Sequence, residues 1–148
     1  MEDVQPRKID GILRRAPPRG RILDVGCGPG FLEKFIPEAV ALDIDLDNLR
    51  KVRRKKVLAD ARYLPFRSSV FDTVFCIDSV HLFEKTDELE RVLSPGGKAV
   101  ITLFCTEYTK EERMEELKKK VRKLRVKEEF FVGDRELDAV VVAEKPMG

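Results

Sequence analysis

Short apolar runs alternate along this chain with segments of helical spacing, and that alternation predicts most of its elements. Branched and aromatic apolar residues favour strands near 21–25, 39–43, 56–59, 71–77 and 98–104. Runs such as Phe71 to Ile77 are apolar enough for a strand covered on both faces. Between them, helices are predicted near 5–15, 30–36, 46–54, 85–92 and 109–123. In the last helix Met114, Leu117, Val121 and Leu124 form a core-facing stripe, and Glu115–Lys119 and Glu116–Lys120 pair on the solvated side. Two final strands, near 127–132 and 138–144, face each other as an antiparallel pair around Gly133-Asp134. Strands alternating with helices imply an α/β fold: a mostly parallel sheet with helices on both faces. Residues 60–70 are too few, and contain Pro65, to carry a helix between the third and fourth strands. The fold is a trimmed one.

Residues 23–30, LDVGCGPG, take the first strand straight into a glycine-rich turn. Gly26, Gly28 and Gly30 let the backbone turn sharply and come close to a ligand where a Cβ would clash. A strand, such a turn and a helix start together make a nucleotide-type binding loop. The spacing is not G-x-G-x-x-G and no GK[ST] comes after it, which excludes the dinucleotide fingerprint and the P-loop. An ordinary glycine turn of an α/β protein would account for these residues alone. The next strand ends in Asp43, 17 residues beyond Gly26, where such folds place a carboxylate for ribose hydroxyls. Asp45 and Asp47 read instead as the cap and first turn of the following helix.

In its Asp24-x-Gly26-x-Gly28-x-Gly30 order the chain resembles motif I of the class I (Rossmann-like) S-adenosylmethionine-dependent methyltransferases. LPFRSSVFDTVFCIDSVH (64–81) resembles the family's "LPF…FD-x-V" run, and LSPGGKAVITLF (93–104) its late turn and strand. The resemblance covers roughly residues 20–145 and implies a seven-stranded sheet whose last strand is inserted antiparallel, within one domain spanning 1–148. It implies S-adenosylmethionine as cofactor, held by Asp24, Gly26, Cys27, Gly28, Gly30, Asp43, Ile44, Asp60, Ala61 and Asp78. In the family an Asp at the place of Asp60 accepts from the adenine amino group, with the next backbone N–H, here Ala61, reaching the ring.

Methyl transfer from a sulfonium asks the protein mainly for alignment, so the residues just after the fourth strand decide the acceptor. There the chain reads Ile77-Asp78-Ser79-Val80-His81. In amino methyltransferases this place holds Asp/Asn/Ser-Pro-Pro-Tyr/Phe, and Asp78 and His81 fall at its first and fourth positions, with neither central proline present. The resemblance implies that Asp78 orients an amine and that His81 stacks on the acceptor or removes a proton. Read from the residues alone, Asp78 equally suits a helix cap, and His81, the one histidine of the chain, a structural role.

Composition narrows the partners. The 148 residues suffice for one core; 43% are hydrophobic, and no apolar run approaches a membrane span. Residues 1–10 lack the apolar stretch of a signal peptide, and Cys27, Cys76 and Cys105 lack metal-ligand spacing. A cytoplasmic protein with buried thiols and no metal is expected. Charged residues reach 38% with one Gln and one Asn, a balance found in hyperthermophile proteins. Net charge is only +2, yet cations cluster in RKVRRKK (50–56) and in the segment 1–20, as Arg7, Lys8, Arg14, Arg15 and Arg19, with Arg21 just beyond. The region before the first strand is expected over the substrate side, where its arginines would hold phosphates. About twenty residues precede that strand and no late insertion supplies a lid, so the mouth is expected to be open. The favoured acceptor is an exocyclic amine of an RNA base, in rRNA or tRNA. A small-molecule acceptor enclosed by a homo-oligomer, or a cofactor-binding subunit active only with a partner, are the alternatives.

Overall fold

The computed structural model describes residues 4–53, 55–79 and 86–147. In chain order they form α1 (Val4–Arg15), β1 (Ile22–Val25), α2 (Phe31–Phe35), β2 (Val40–Asp43), α3 (Leu46–Leu49), β3 (Lys56–Leu58) and β4 (Phe71–Cys76). Next come α4 (Asp87–Val92), β5 (Leu93–Cys105), α5 (Lys110–Lys120), β6 (Arg125–Gly133) and β7 (Leu137–Glu144). The seven strands make one sheet in the order β3-β2-β1-β4-β5-β7-β6. β1 to β5 pair in parallel, and β7 lies antiparallel between β5 and β6. The strand order reverses beside β1, and such a switch point opens a crevice at the carboxyl ends of the strands.

Alternation along each strand sorts the core into two layers. Leu23, Val25, Val141 and Ala143 face Leu89, Met114 and Leu117 of α4 and α5. Ile22, Phe75, Val100 and Val140 face Ile9 and Ile12 of α1 and Leu32 of α2. The same parity puts Asp24, Thr102 and Asp138 on the α1 side of the sheet, and all three are buried. No helix among the described residues is long and apolar enough to cross a membrane.

Two boundaries differ from the sequence expectation. The helix expected over 46–54 is only α3: Asp45 caps its start by accepting the Asp47 N–H, as expected. Its end is drawn off because Lys56 donates its ammonium to the Leu49 and Val52 carbonyls while opening β3. The strand expected from 98 starts at Leu93, which pairs with Phe71 before an irregularity restores register at Thr73 and Lys98. The near-empty stretch 60–70 is held by Arg91, whose guanidinium donates to the Leu64 and Phe66 carbonyls.

Candidate functional site

The glycine turn after β1 is built by backbone hydrogen bonds to the neighbouring strand. Gly26 and Cys27 N–H groups donate to the Leu42 carbonyl at 2.8 and 3.0 Å. Gly26, Gly28 and Gly30 have φ of 74°, 57° and 92°, the left-handed region that other residues enter at a cost. Asp43, nearly buried at the end of β2, braces the turn: its carboxylate accepts the Gly28 N–H and the Asp45 N–H, each at 2.9 Å. A side chain at Gly28 would project into open space, with nothing within 4 Å of its Cβ position. The turn is therefore a cradle whose inner wall is bare backbone.

Two cavities flank this cradle and share Gly26. One, of about 110 Å³, includes Asp24, Gly26, Cys27 and Gly28 with Gln5 and Ile77 in its lining. The other, of about 180 Å³, includes Asp43, Ile44, Asp60 and Ala61. Of the residues expected to bind the cofactor, the structure thus brings eight to the two cavities. Gly30 stands apart, as the N-cap of α2, and lines a separate hollow with Glu33, Lys51 and Arg53. The Asp60 carboxylate is engaged by the Arg62 guanidinium at 2.8 Å, which lowers its pKa, so an adenine amine there would compete with Arg62.

Sequence reasoning missed Glu33. Its two oxygens are buried, and among the described residues no N–H or hydroxyl reaches them, which leaves a protonated Asp24 carboxyl as their donor. Burial, and next the nearby Glu33, raise the Asp24 carboxyl well above the usual range; burial raises Glu33 against the hydrogen bond from Asp24. The two acids satisfy each other when a proton sits between them, as happens for close carboxyl pairs. With Asp43 nearby, the cavity wall is acidic and suits a cationic ligand group. The residues present fit S-adenosylmethionine, the cofactor the resemblance implies: its ammonium would face the Asp24 carboxyl, with Glu33 buried behind it, and its backbone-contacting edge the cradle at Gly28. Cys27 and Cys76 are not reactive candidates, since burial raises both thiols, Cys76 to about 12.

At the end of β4, Asp78 holds φ at 54°, an uncommon value for a residue with a side chain and one that Asp enters more readily than most. Ser79 anchors the segment by donating to the Val25 carbonyl at 2.8 Å. Asp78 turns towards α1 and β5. Its N–H donates to the Thr102 hydroxyl at 2.9 Å, and its carboxylate lies 3.1 Å from that hydroxyl and 3.4 Å from the Gln5 amide. His81 lies outside the described residues. Phe104 and Tyr108, at and beyond the same end of β5, are 48% and 97% exposed and offer aromatic faces beside the mouth.

Only the start of the basic amino-terminal segment lies at the mouth, where the sequence predicts the whole of it. Because α1 runs antiparallel to β1, its start lies at Asp78 while the chain beyond its end reaches the amino ends of the parallel strands. Arg14 pairs with Asp10, and Arg15 pairs with Glu128 and lies over the Phe130 ring. Arg19 binds Thr73 through its N–H and the Gly96 carbonyl through its guanidinium, and the Arg21 N–H binds Asp72, all at the amino ends of strands. Only Arg7 and Lys8 of this group sit near the mouth, lining a hollow of about 310 Å³ with Gly133 to Glu136. Reversing the charges of Arg14, Arg15 and Arg19 together should leave RNA affinity within about threefold in low-salt filter binding. A loss of about tenfold or more, with a reduced salt slope, would put phosphates at the amino ends of the strands.

A family profile described as a methyltransferase domain matches residues 23–101. The chain is 32% identical over 126 residues to a malonyl-[acyl-carrier protein] O-methyltransferase of Enterobacter lignolyticus, covering 75% of this chain and 50% of that protein. It is 28% identical over 112 residues to the probable tRNA methyltransferase 9B of Mus musculus, covering 68% of this chain and 25% of that protein. The chain thus spans half or less of the length of these relatives. A Haloferax volcanii protein described as a methyltransferase, solved in complex with the Trm112 methyltransferase activator, shares the fold with a TM-score of 0.79 at 18% identity, covering 99% of this chain and 91% of that one.

Proposed function

The chain belongs to the methyltransferase-domain family of S-adenosylmethionine-dependent enzymes, and we propose that it methylates an exocyclic amine of an RNA base. The observation that carries this reading is Asp78, a carboxylate presented from left-handed backbone at the end of β4 and held by Thr102 and Gln5. An amine brings hydrogens that a carboxylate accepts, and its nitrogen must lose one proton once the methyl bond has formed. Bound S-adenosylmethionine supplies a methyl electrophilic enough that positioning is most of the remaining task. In this reading Asp24, backed by the buried Glu33, holds the cofactor's ammonium, Asp43 its ribose hydroxyls, and Asp78 fixes the amine and takes its proton. The exposed rings of Phe104 and Tyr108 support a planar acceptor, since bases out of a duplex stack on such faces. The probable tRNA methyltransferase among the relatives supports the same class.

A second reading, methylation of a carboxylate, is favoured by the name of the Enterobacter relative. Against it, Lys8 is committed to Asp138, and the carboxyl groups of Asp24, Asp43 and Asp78 make the surroundings of the methyl acidic. A subunit that works only with a partner, as the activator-bound Haloferax complex suggests for this fold, is the third reading. Incubation with labelled S-adenosylmethionine, unmodified tRNA and rRNA transcripts, and acyl-chain acids separates them. Label in one base-methylated nucleoside, identified by mass spectrometry, is expected. Label in a base-labile methyl ester would overturn the amine reading in favour of the second, and cofactor binding without transfer to either acceptor would favour the third.

A further inference from the structure

Behind Asp78 lies a chain of buried polar groups that the proposed chemistry leaves unused. Lys8 of α1 and Asp138 of β7 form an ion pair at 3.0 Å, with side chains 4% and 0% exposed. The Thr102 hydroxyl, fully buried on β5, lies 3.1 Å from Asp138 Oδ2 and 3.1 Å from Asp78 Oδ1, and it accepts the Asp78 N–H. A hydroxyl has one hydrogen to give. It therefore satisfies one of the two carboxyls, and the other contact is a hydrogen bond only if that carboxyl brings its own proton. One proton shared by the two acids completes the set, and Lys8 then balances the one remaining negative charge.

We propose that Asp138, Thr102 and Lys8 are positioning residues for Asp78, which keep one proton between the two carboxyls and so hold the Asp78 carboxylate singly charged and fixed in place. The inference rests on the reading of Asp78 as the acceptor-facing group. The proton is assigned to Asp138, because Asp138 is wholly buried and burial disfavours its charged form, whereas Asp78 is half-buried. Among the described residues, the titratable groups facing Asp138 are Lys8 from α1, Asp78 from the segment after β4, and Cys105 of β5. Its partner on β6 is the apolar Val132. Burial first, and then Asp78, push the Asp138 carboxyl up to about 7 against the pull of Lys8. As pH rises through that value the shared proton leaves, Thr102 is left between two anions, and Asp78 loses its fixed donor.

Carboxyl ¹³C NMR of the full chain, labelled at aspartate, tests this without any acceptor. The wild type is expected to show one aspartate titrating between about pH 6 and 8, far above the usual carboxylate range. Asp138→Asn, which can still donate to Thr102, should remove that titration. Thr102→Val should shift it and Thr102→Ser should restore it. A wild type with no aspartate titrating in that range overturns the proposal, as does a titration untouched by both Asp138→Asn and Thr102→Val. If Asp138→Asn does not fold, the Thr102 pair decides. Loss of the acceptor-site reading is separate: it shows as methylation that survives Asp78→Ala while the shared titration persists.

Discussion

Asp78→Ala should slow single-turnover methylation by about 10²–10⁴-fold, the range that a positioned acid–base group contributes. Affinity for S-adenosylmethionine should change little, since the linings of the cofactor cavities include Asp24, Gly26 to Gly28, Asp43, Ile44, Asp60 and Ala61 and not Asp78 itself. That split is the signature of an interaction made in the transition state and not in cofactor binding. Alanine removes no fold-defining contact: the segment stays tied through Ser79 to Val25 and through its own N–H to Thr102. Calorimetry and rapid-quench transfer assays on the same preparation read the two quantities. Near-normal turnover in the folded variant would remove Asp78 from the acceptor site.

Asp43→Ala is expected to weaken S-adenosylmethionine binding by roughly ten- to a hundredfold, because a hydrogen bond to a charged group contributes about 1.5–3 kcal/mol. The structure gives this residue a second task, since both its oxygens already accept backbone N–H groups of Gly28 and Asp45. A cofactor analogue lacking the ribose hydroxyls separates the tasks. If Asp43 accepts from those hydroxyls, the wild type discriminates against the analogue and Asp43→Ala does not. Equal discrimination by both proteins would leave Asp43 as a brace of the glycine turn alone.

The difference between these two residues tracks how each can be read. Asp43 and the glycines announce themselves because strand, turn and acid are close in sequence and each needs a particular residue type. Asp78 is legible as a strand-end acid, but its partners are not: Thr102 and Asp138 are separated by 36 residues and Lys8 and Asp138 by 130. A signal existed in principle, since Asp138 and Thr102 each interrupt an otherwise apolar strand. Such an interruption says that a partner is needed without saying which. Glu33 reads as one more charge on a short helix until the fold turns it under the glycine loop beside Asp24.

Local sequence was enough for the α/β alternation, the seven strands, the antiparallel closing pair and the ligand-cradling turn. These depend on properties of neighbouring residues: apolar periodicity, glycine's access to positive φ, and acids at strand ends. Which ends of the elements face each other was settled in three dimensions. The direction of α1 carried Arg14, Arg15 and Arg19 towards the amino ends of the parallel strands and brought Gln5 to Asp78 and Lys8 to Asp138. The antiparallel register of β5 with β7, which opposes Phe104 to Asp138, set Thr102 within reach of both acids. Register and helix direction come from the packing of distant apolar faces against one another, and no stretch of neighbouring residues carries that information.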